Sequence, residues 1–149
     1  MWCCWTCINH LSVSWLRLNT FKGIALGFDY GIKRIGVAIA NSINLKARPL
    51  KVLIATSKKC QQELVDKEVL EWRPSLFVVG LPVNVNGSRH KFANECEKFA
   101  RLLESTYKTK VILADERWTS VLAKGPGLDD ARAAAIILQG VLDDKNQAN

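Results

Sequence analysis

Leu76 to Gly80 contains no polar side chain. A short, wholly apolar run predicts a strand buried on both faces, and such a strand needs a layer packed above and below its sheet. The rest of the chain supplies those layers. Ile24 to Asp29 alternates, with Ile24, Leu26 and Phe28 on one side and Ala25, Gly27 and Asp29 on the other. After a turn at Tyr30-Gly31, Arg34 to Ala40 alternates again, so the two segments are expected to pair antiparallel. A third strand is expected from Pro49 to Ala55, then a helix from Gln61 to Trp72 with Val65, Val69 and Trp72 on one stripe. Ser88 is positioned to N-cap a helix whose Phe92, Cys96, Phe99 and Leu103 share a face. Val111 to Glu116 is the next strand and Asp130 to Leu142 the last helix, with a polar, frayed tail expected at 143–149. Three strands followed by alternating helices and strands make an α/β fold, one mixed sheet with helices on both faces.

At 149 residues the chain has room for about one domain of the usual ~100–200 residues. Residues 23–142 hold the regular periodicities. Residues 1–22 differ in kind: they contain Trp2, Trp5, Trp15, Cys3, Cys4 and Cys7, no acid and no sustained period. They lack the basic start, unbroken apolar core and small-residue cleavage site of a signal peptide, and are too short and broken to span a membrane. This segment is expected to lie outside the fold, the product of a start codon placed too far upstream. Cys4 and Cys7 form a C-x-x-C, but no second ligand pair follows at zinc spacing, and the five cysteines form no disulfide framework.

The charge is +7 and unevenly placed. No carboxylate occurs between Asp29 and Glu63, while Lys33, Arg34, Lys46, Arg48, Lys51, Lys58 and Lys59 all fall there. A one-signed stretch of this kind attracts polyanions, of which nucleic acid is the commonest in a cell.

Two strand ends carry acids, Asp29 on the first strand and Asp115-Glu116 on the last. Carboxyl ends of strands are where open α/β sheets place ligands. Neighbouring strand residues point to opposite faces, so only one of Asp115 and Glu116 shares the side of Asp29, and the spacing leaves open which. Asp130 lies on the stripe of Ala134, Ile137, Leu138 and Val141, which directs it inward, whereas Asp129 is better placed to cap the helix. Each acid also has an ordinary structural use, in a turn, an ion pair or a helix start. Together, short oxygen ligands without His or Cys suit a hard cation, Mg²⁺ or Mn²⁺, which would neutralise carboxylates that otherwise repel.

Several motifs, in order, resemble the YqgF family: Gly27-Phe28-Asp29-Tyr30-Gly31 with Arg34-Ile35-Gly36-Val37-Ala38, Arg48-Pro49-Leu50, Val79-Gly80-Leu81-Pro82 with Asn84 and Gly87-Ser88, Asp115-Glu116-Arg117-Trp118-Thr119-Ser120, and Asp130 before Ala133 to Gln139. These are bacterial RNase H-like proteins, described both as Holliday-junction resolvases and as nucleases that mature the 5′ end of the small-subunit ribosomal RNA precursor. The resemblance implies a cytoplasmic, metal-dependent phosphodiesterase whose catalytic, metal-holding acids are Asp29, Glu116 and Asp130. Arg34, Asn84, Arg117 and Lys124 become candidates for nucleic-acid contact, and the Gly80-Leu81-Pro82 loop for close approach to its backbone.

One departure stands out. Relatives usually carry a longer, more basic connection with a full helix before the last acid, whereas here Gly125-Pro126-Gly127 interrupts the short segment between Glu116 and Asp130. The resemblance therefore leaves three functions: the ribosomal RNA precursor nuclease, a resolvase of structured DNA, which would need a dimer to cut two strands, and a non-catalytic RNA-binding module. An actin-like ATPase is excluded because it needs two lobes. Walker and dinucleotide glycine loops are absent.

Overall fold

A computed structural model describes residues 21–84, 86, 88–115 and 130–147. Among these described residues five strands and three helices follow in the order β1 (Ile24–Asp29), β2 (Arg34–Asn41), β3 (Arg48–Ile54), α1 (Lys58–Trp72), β4 (Leu76–Leu81), α2 (Ala93–Tyr107), β5 (Lys110–Asp115) and α3 (Asp130–Gln147). They form one sheet in the order β3-β2-β1-β4-β5. β1 pairs antiparallel with β2, and β2 with β3, while β1–β4 and β4–β5 are parallel, the arrangement forced when helices carry the chain between strands.

The alternation seen in the sequence sorts the core into two layers. Leu26, Phe28, Ile35, Val37, Phe77 and Val79 face α1 and α2, meeting Val65, Cys96, Phe99 and Leu103. Phe28 lies at the centre, its ring 5.9 Å from Phe77 and 5.5 Å from Phe99. Ala25, Ala38, Ala40, Leu76 and Val78 face the other way, against Ala134, Ile137, Leu138 and Val141 of α3. Each fully buried large side chain contributes on the order of 2 kcal/mol. β4, flanked by β1 and β5, is buried over Leu76–Gly80, as its apolar run requires.

Three helix boundaries differ from expectation, and the ends of β2, β3 and β5 shift by a single residue. α1 begins at Lys58, because the Ser57 hydroxyl accepts from the Cys60 amide at 3.1 Å and caps the first turn. Ser88 caps no helix: its amide and hydroxyl both donate to Asn86 Oδ1, and α2 starts five residues later behind Phe92, which makes no side-chain cap. α3 continues to Gln147 rather than stopping at Leu142, so part of the segment expected to fray is helical. Among the described residues no helix is long and apolar enough to cross a membrane.

The two helices on one face are locked by polar contacts. Tyr107 of α2 donates its hydroxyl hydrogen bond to Asp66 of α1, and Gln62 Nε2 reaches both, at 2.9 Å to Asp66 and 3.1 Å to Tyr107. Burial, then the Asp66 carboxylate, raises the Tyr107 pKa far above the ordinary tyrosine value, and burial likewise raises that of Tyr30. These are the only two tyrosines in the chain. Absorbance at 295 nm is therefore expected to show little tyrosinate at pH ~10, where a free tyrosine is half ionised. Both groups favour the protonated form in the fold, so stability is intact below pH ~10 and declines as the pH rises beyond it. A half-ionised signal at the ordinary value would contradict the packing.

Candidate active site

Asp29 is the last residue of β1, and its partner across the ladder is Gly36 of β2. Gly36 has no side chain, and the space a Cβ would fill is taken by α3: that atom would lie 1.8 Å from the Asp130 carbonyl oxygen and 2.8 Å from the Ala131 amide. Gly27 does the same about two turns along the helix, where a Cβ would lie 2.8 Å from Leu138 Cβ. Two strand glycines thus form the saddle on which α3 rests. The consequence is local and chemical, because the helix start is pressed against the residue paired with Asp29, and the Asp130 carboxylate joins Asp29 at one opening.

That opening is a cleft of about 290 Å³ lined by Asp29, Tyr30, Gly31, Ile32, Lys33, Arg34 and Asp130. Arg34 Nε lies 2.8 Å from Asp130 Oδ2, with both side chains partly in water. An exposed pair of this kind contributes at most about 1 kcal/mol, so the guanidinium is easily surrendered to another anion. The cleft floor is stiff. Gln61, buried in the first turn of α1, donates to the Gly31 carbonyl at 2.9 Å and the Ile32 carbonyl at 3.3 Å, and the Ala55 amide donates to the Lys33 carbonyl at 2.9 Å. At the far end of the sheet α3 is tied down as well, by Gln139, which accepts from the Ala47 amide at 2.8 Å and donates to the Leu45 carbonyl at 3.2 Å.

The structure thus brings Asp29, Asp130 and Arg34 together. It resolves the parity of Asp115: Ile112 and Ala114 pack on the α3 side and Val111 on the other, so Asp115 belongs to the face away from Asp29. Glu116, Arg117, Lys124 and Asp129 lie outside the described residues. Asn84 does not line the cleft. Its amide donates to Ser88 Oγ at 2.9 Å and its backbone N–H to the Ser88 carbonyl, so it closes its own loop beyond β4.

The carboxylate oxygens of Asp29 and Asp130, with no His or Cys among the described residues that line the cleft, fit a hard divalent cation. Among the described residues no three His, Cys, Asp or Glu side chains form a metal-holding group. The roles of Gly36 and Gln61 were not anticipated. A glycine inside an alternating strand signals close approach by another backbone, but nothing in the one-dimensional pattern identifies the helix that approaches.

Comparison with known proteins agrees with this architecture. A protein from Buchnera aphidicola subsp. Acyrthosiphon pisum, provisionally named a pre-16S rRNA nuclease, is 46% identical over 101 residues, 68% of this chain and 75% of its own. One from Paraburkholderia phytofirmans, with the same provisional name, is 42% identical over 126 positions. That alignment covers 79% of this chain and 86% of the relative; the share of this chain amounts to fewer residues than positions aligned, so the relative carries residues missing here. Thermus thermophilus RuvC, solved in complex with a Holliday junction substrate, superposes with a TM-score of 0.56 at 15% identity, covering 85% of this chain and 97% of RuvC. The yeast mitochondrial Holliday junction resolvase superposes with a TM-score of 0.54 at 14% identity, covering 83% and 79%. The fold is therefore the RNase H-like fold of these resolvases. The sequence pattern of the family described as RuvX, Holliday junction resolvase, matches residues 23–144, and the chain belongs to that family, the one its motifs resemble under the name YqgF.

Proposed function

We propose that this protein is a metal-dependent nuclease that hydrolyses phosphodiester bonds in the 5′ region of the small-subunit ribosomal RNA precursor in the cytoplasm. The observation that carries the reading is the meeting of Asp29 and Asp130 at one cleft, where Gly36 lets the start of α3 rest against the residue paired with Asp29. The names of the relatives favour RNA as substrate, while the fold is shared with enzymes of DNA junctions.

Asp29 and Asp130 would hold Mg²⁺ or Mn²⁺, with Glu116 as the third acid. Asp115 faces the wrong way, which leaves Glu116 as the remaining acid after that strand. A bound cation of this kind lowers the pKa of a coordinated water and stabilises the leaving oxygen. The chain's own groups do the rest. Lys33 and Arg34 attract the scissile phosphate to the lip of the cleft, and Arg34 exchanges its exposed Asp130 partner for a phosphate oxygen at little cost. The pinned Gly31–Lys33 turn keeps these groups in place without rearrangement. Arg117 and Lys124 add phosphate contacts, and Asn84 shapes the loop at the neighbouring strand end.

The test incubates the full chain with a structured precursor fragment of the small-subunit RNA and with a four-way DNA junction, each with Mn²⁺, with Mg²⁺ and with chelator. The expected result is cutting of the RNA with metal and none with chelator. Preferential cutting of the junction would make the protein a resolvase. Binding of RNA that falls with salt, without cutting under either metal, would leave a binding module.

A further inference from the structure

The lip of the cleft has a composition that carboxylate chemistry does not require. Ile32 lines the cleft yet is 66% exposed, and Ile54, directly across the ladder from Arg34, is 68% exposed. The turn that carries Ile32 is held by Gln61 and Ala55, so its isoleucine is kept in water by a fixed backbone rather than by lack of order. Cations are interleaved with these apolar groups. Lys51 is occupied by Glu68 at 2.7 Å, and Lys58 lies 3.5 Å from Glu95, whereas Lys33 and Lys59 have no carboxylate partner among the described residues. Lys59 lies in the first turn of α1, two residues before the Gln61 that holds the lip.

Cations alternating with exposed apolar side chains match a nucleic-acid strand whose bases are unstacked: the cations track phosphates while the apolar groups lie on a base face. A continuous duplex must first be unstacked before two isoleucines can reach a base face, a cost that a single strand does not carry. We propose that Ile32 and Ile54, flanked by Lys33 and Arg34, form a recognition lip that selects a single-stranded nucleotide segment entering the cleft. The proposal rests on the nuclease reading and narrows its substrate to a site that is unpaired where it is cut.

The test measures binding of the full chain, in chelator, to a single-stranded oligoribonucleotide and to the blunt duplex of the same sequence. The parent is expected to prefer the single strand. Ile32→Ala combined with Ile54→Ala should weaken single-strand binding roughly tenfold, leaving duplex affinity and the salt slope unchanged. Lys33→Ala should weaken both and lower the salt slope by about one. Both isoleucines are exposed, so the double variant should melt like the parent. A double variant that binds the single strand as tightly as the parent, or that loses both forms equally, overturns the lip. If the parent still cuts precursor RNA in that case, the nuclease reading survives; a parent that binds neither form and cuts nothing removes both.

Discussion

Gly36→Ala is expected to cost at least the ~1–3 kcal/mol typical of overpacking and to lower cleavage about a hundredfold. The added methyl would lie 1.8 Å from the Asp130 carbonyl oxygen and 2.2 Å from its carbonyl carbon. Both are backbone atoms of α3, with no flexible side-chain end to swing aside, so the start of the helix must retreat from β2. That retreat carries the Asp130 carboxylate away from Asp29. Gly140→Ala is the matched control, because nothing lies within 4 Å of a Cβ there. On an exposed turn of α3 it should stabilise the protein by about 0.5–1 kcal/mol and leave turnover alone. Thermal melting and single-turnover cleavage of both variants check the pair, and a Gly36→Ala protein with parental melting and turnover would show that the saddle does not position Asp130.

For Asp29→Asn the expected change is confined to chemistry. Asparagine keeps the size and one oxygen but removes the charge a divalent cation needs. Outer partners of metal sites typically carry about 10–100-fold in activity or affinity, and a direct ligand should exceed that. Cleavage in Mn²⁺ is therefore expected to fall by more than a hundredfold, while RNA affinity in chelator stays the same or tightens, since one negative charge has left the cleft. Calorimetric Mn²⁺ titration should weaken in step. Parental cleavage by Asp29→Asn would remove this acid from the site.

Much of this geometry was legible because the strand period is two and unambiguous. Alternation placed Asp29 on the side of Ala25 and Gly27, and the helical stripe placed Asp130 inward; those two readings meet at one cleft. What failed were the helix boundaries. The amides of Ser88 and Phe92 go to Asn86 and His90 instead of starting a helix, with Phe92 N–H donating to His90 Nδ1 at 3.1 Å. α1 and α2 end on Arg73 and Lys108 in left-handed conformations, without the glycine that usually marks such an end. Gln61 was equally hidden: a polar residue on a helix reads as solvated until the turn it bonds is brought over it. The open choice between Asp115 and Glu116 needed the packing of Ile112 and Ala114, which only the assembled sheet provides.

Gln139 holds the middle of α3 to the segment between β2 and β3, and the Gly36 contact holds its first turn. With its first turn and its middle both held, the half of α3 that borders the cleft has no closing motion to make when a polyanion arrives. Encounter should accordingly be governed by diffusion and by attraction to the basic stretch, with a single kinetic phase whose rate falls as ionic strength rises and shows no plateau at high RNA concentration.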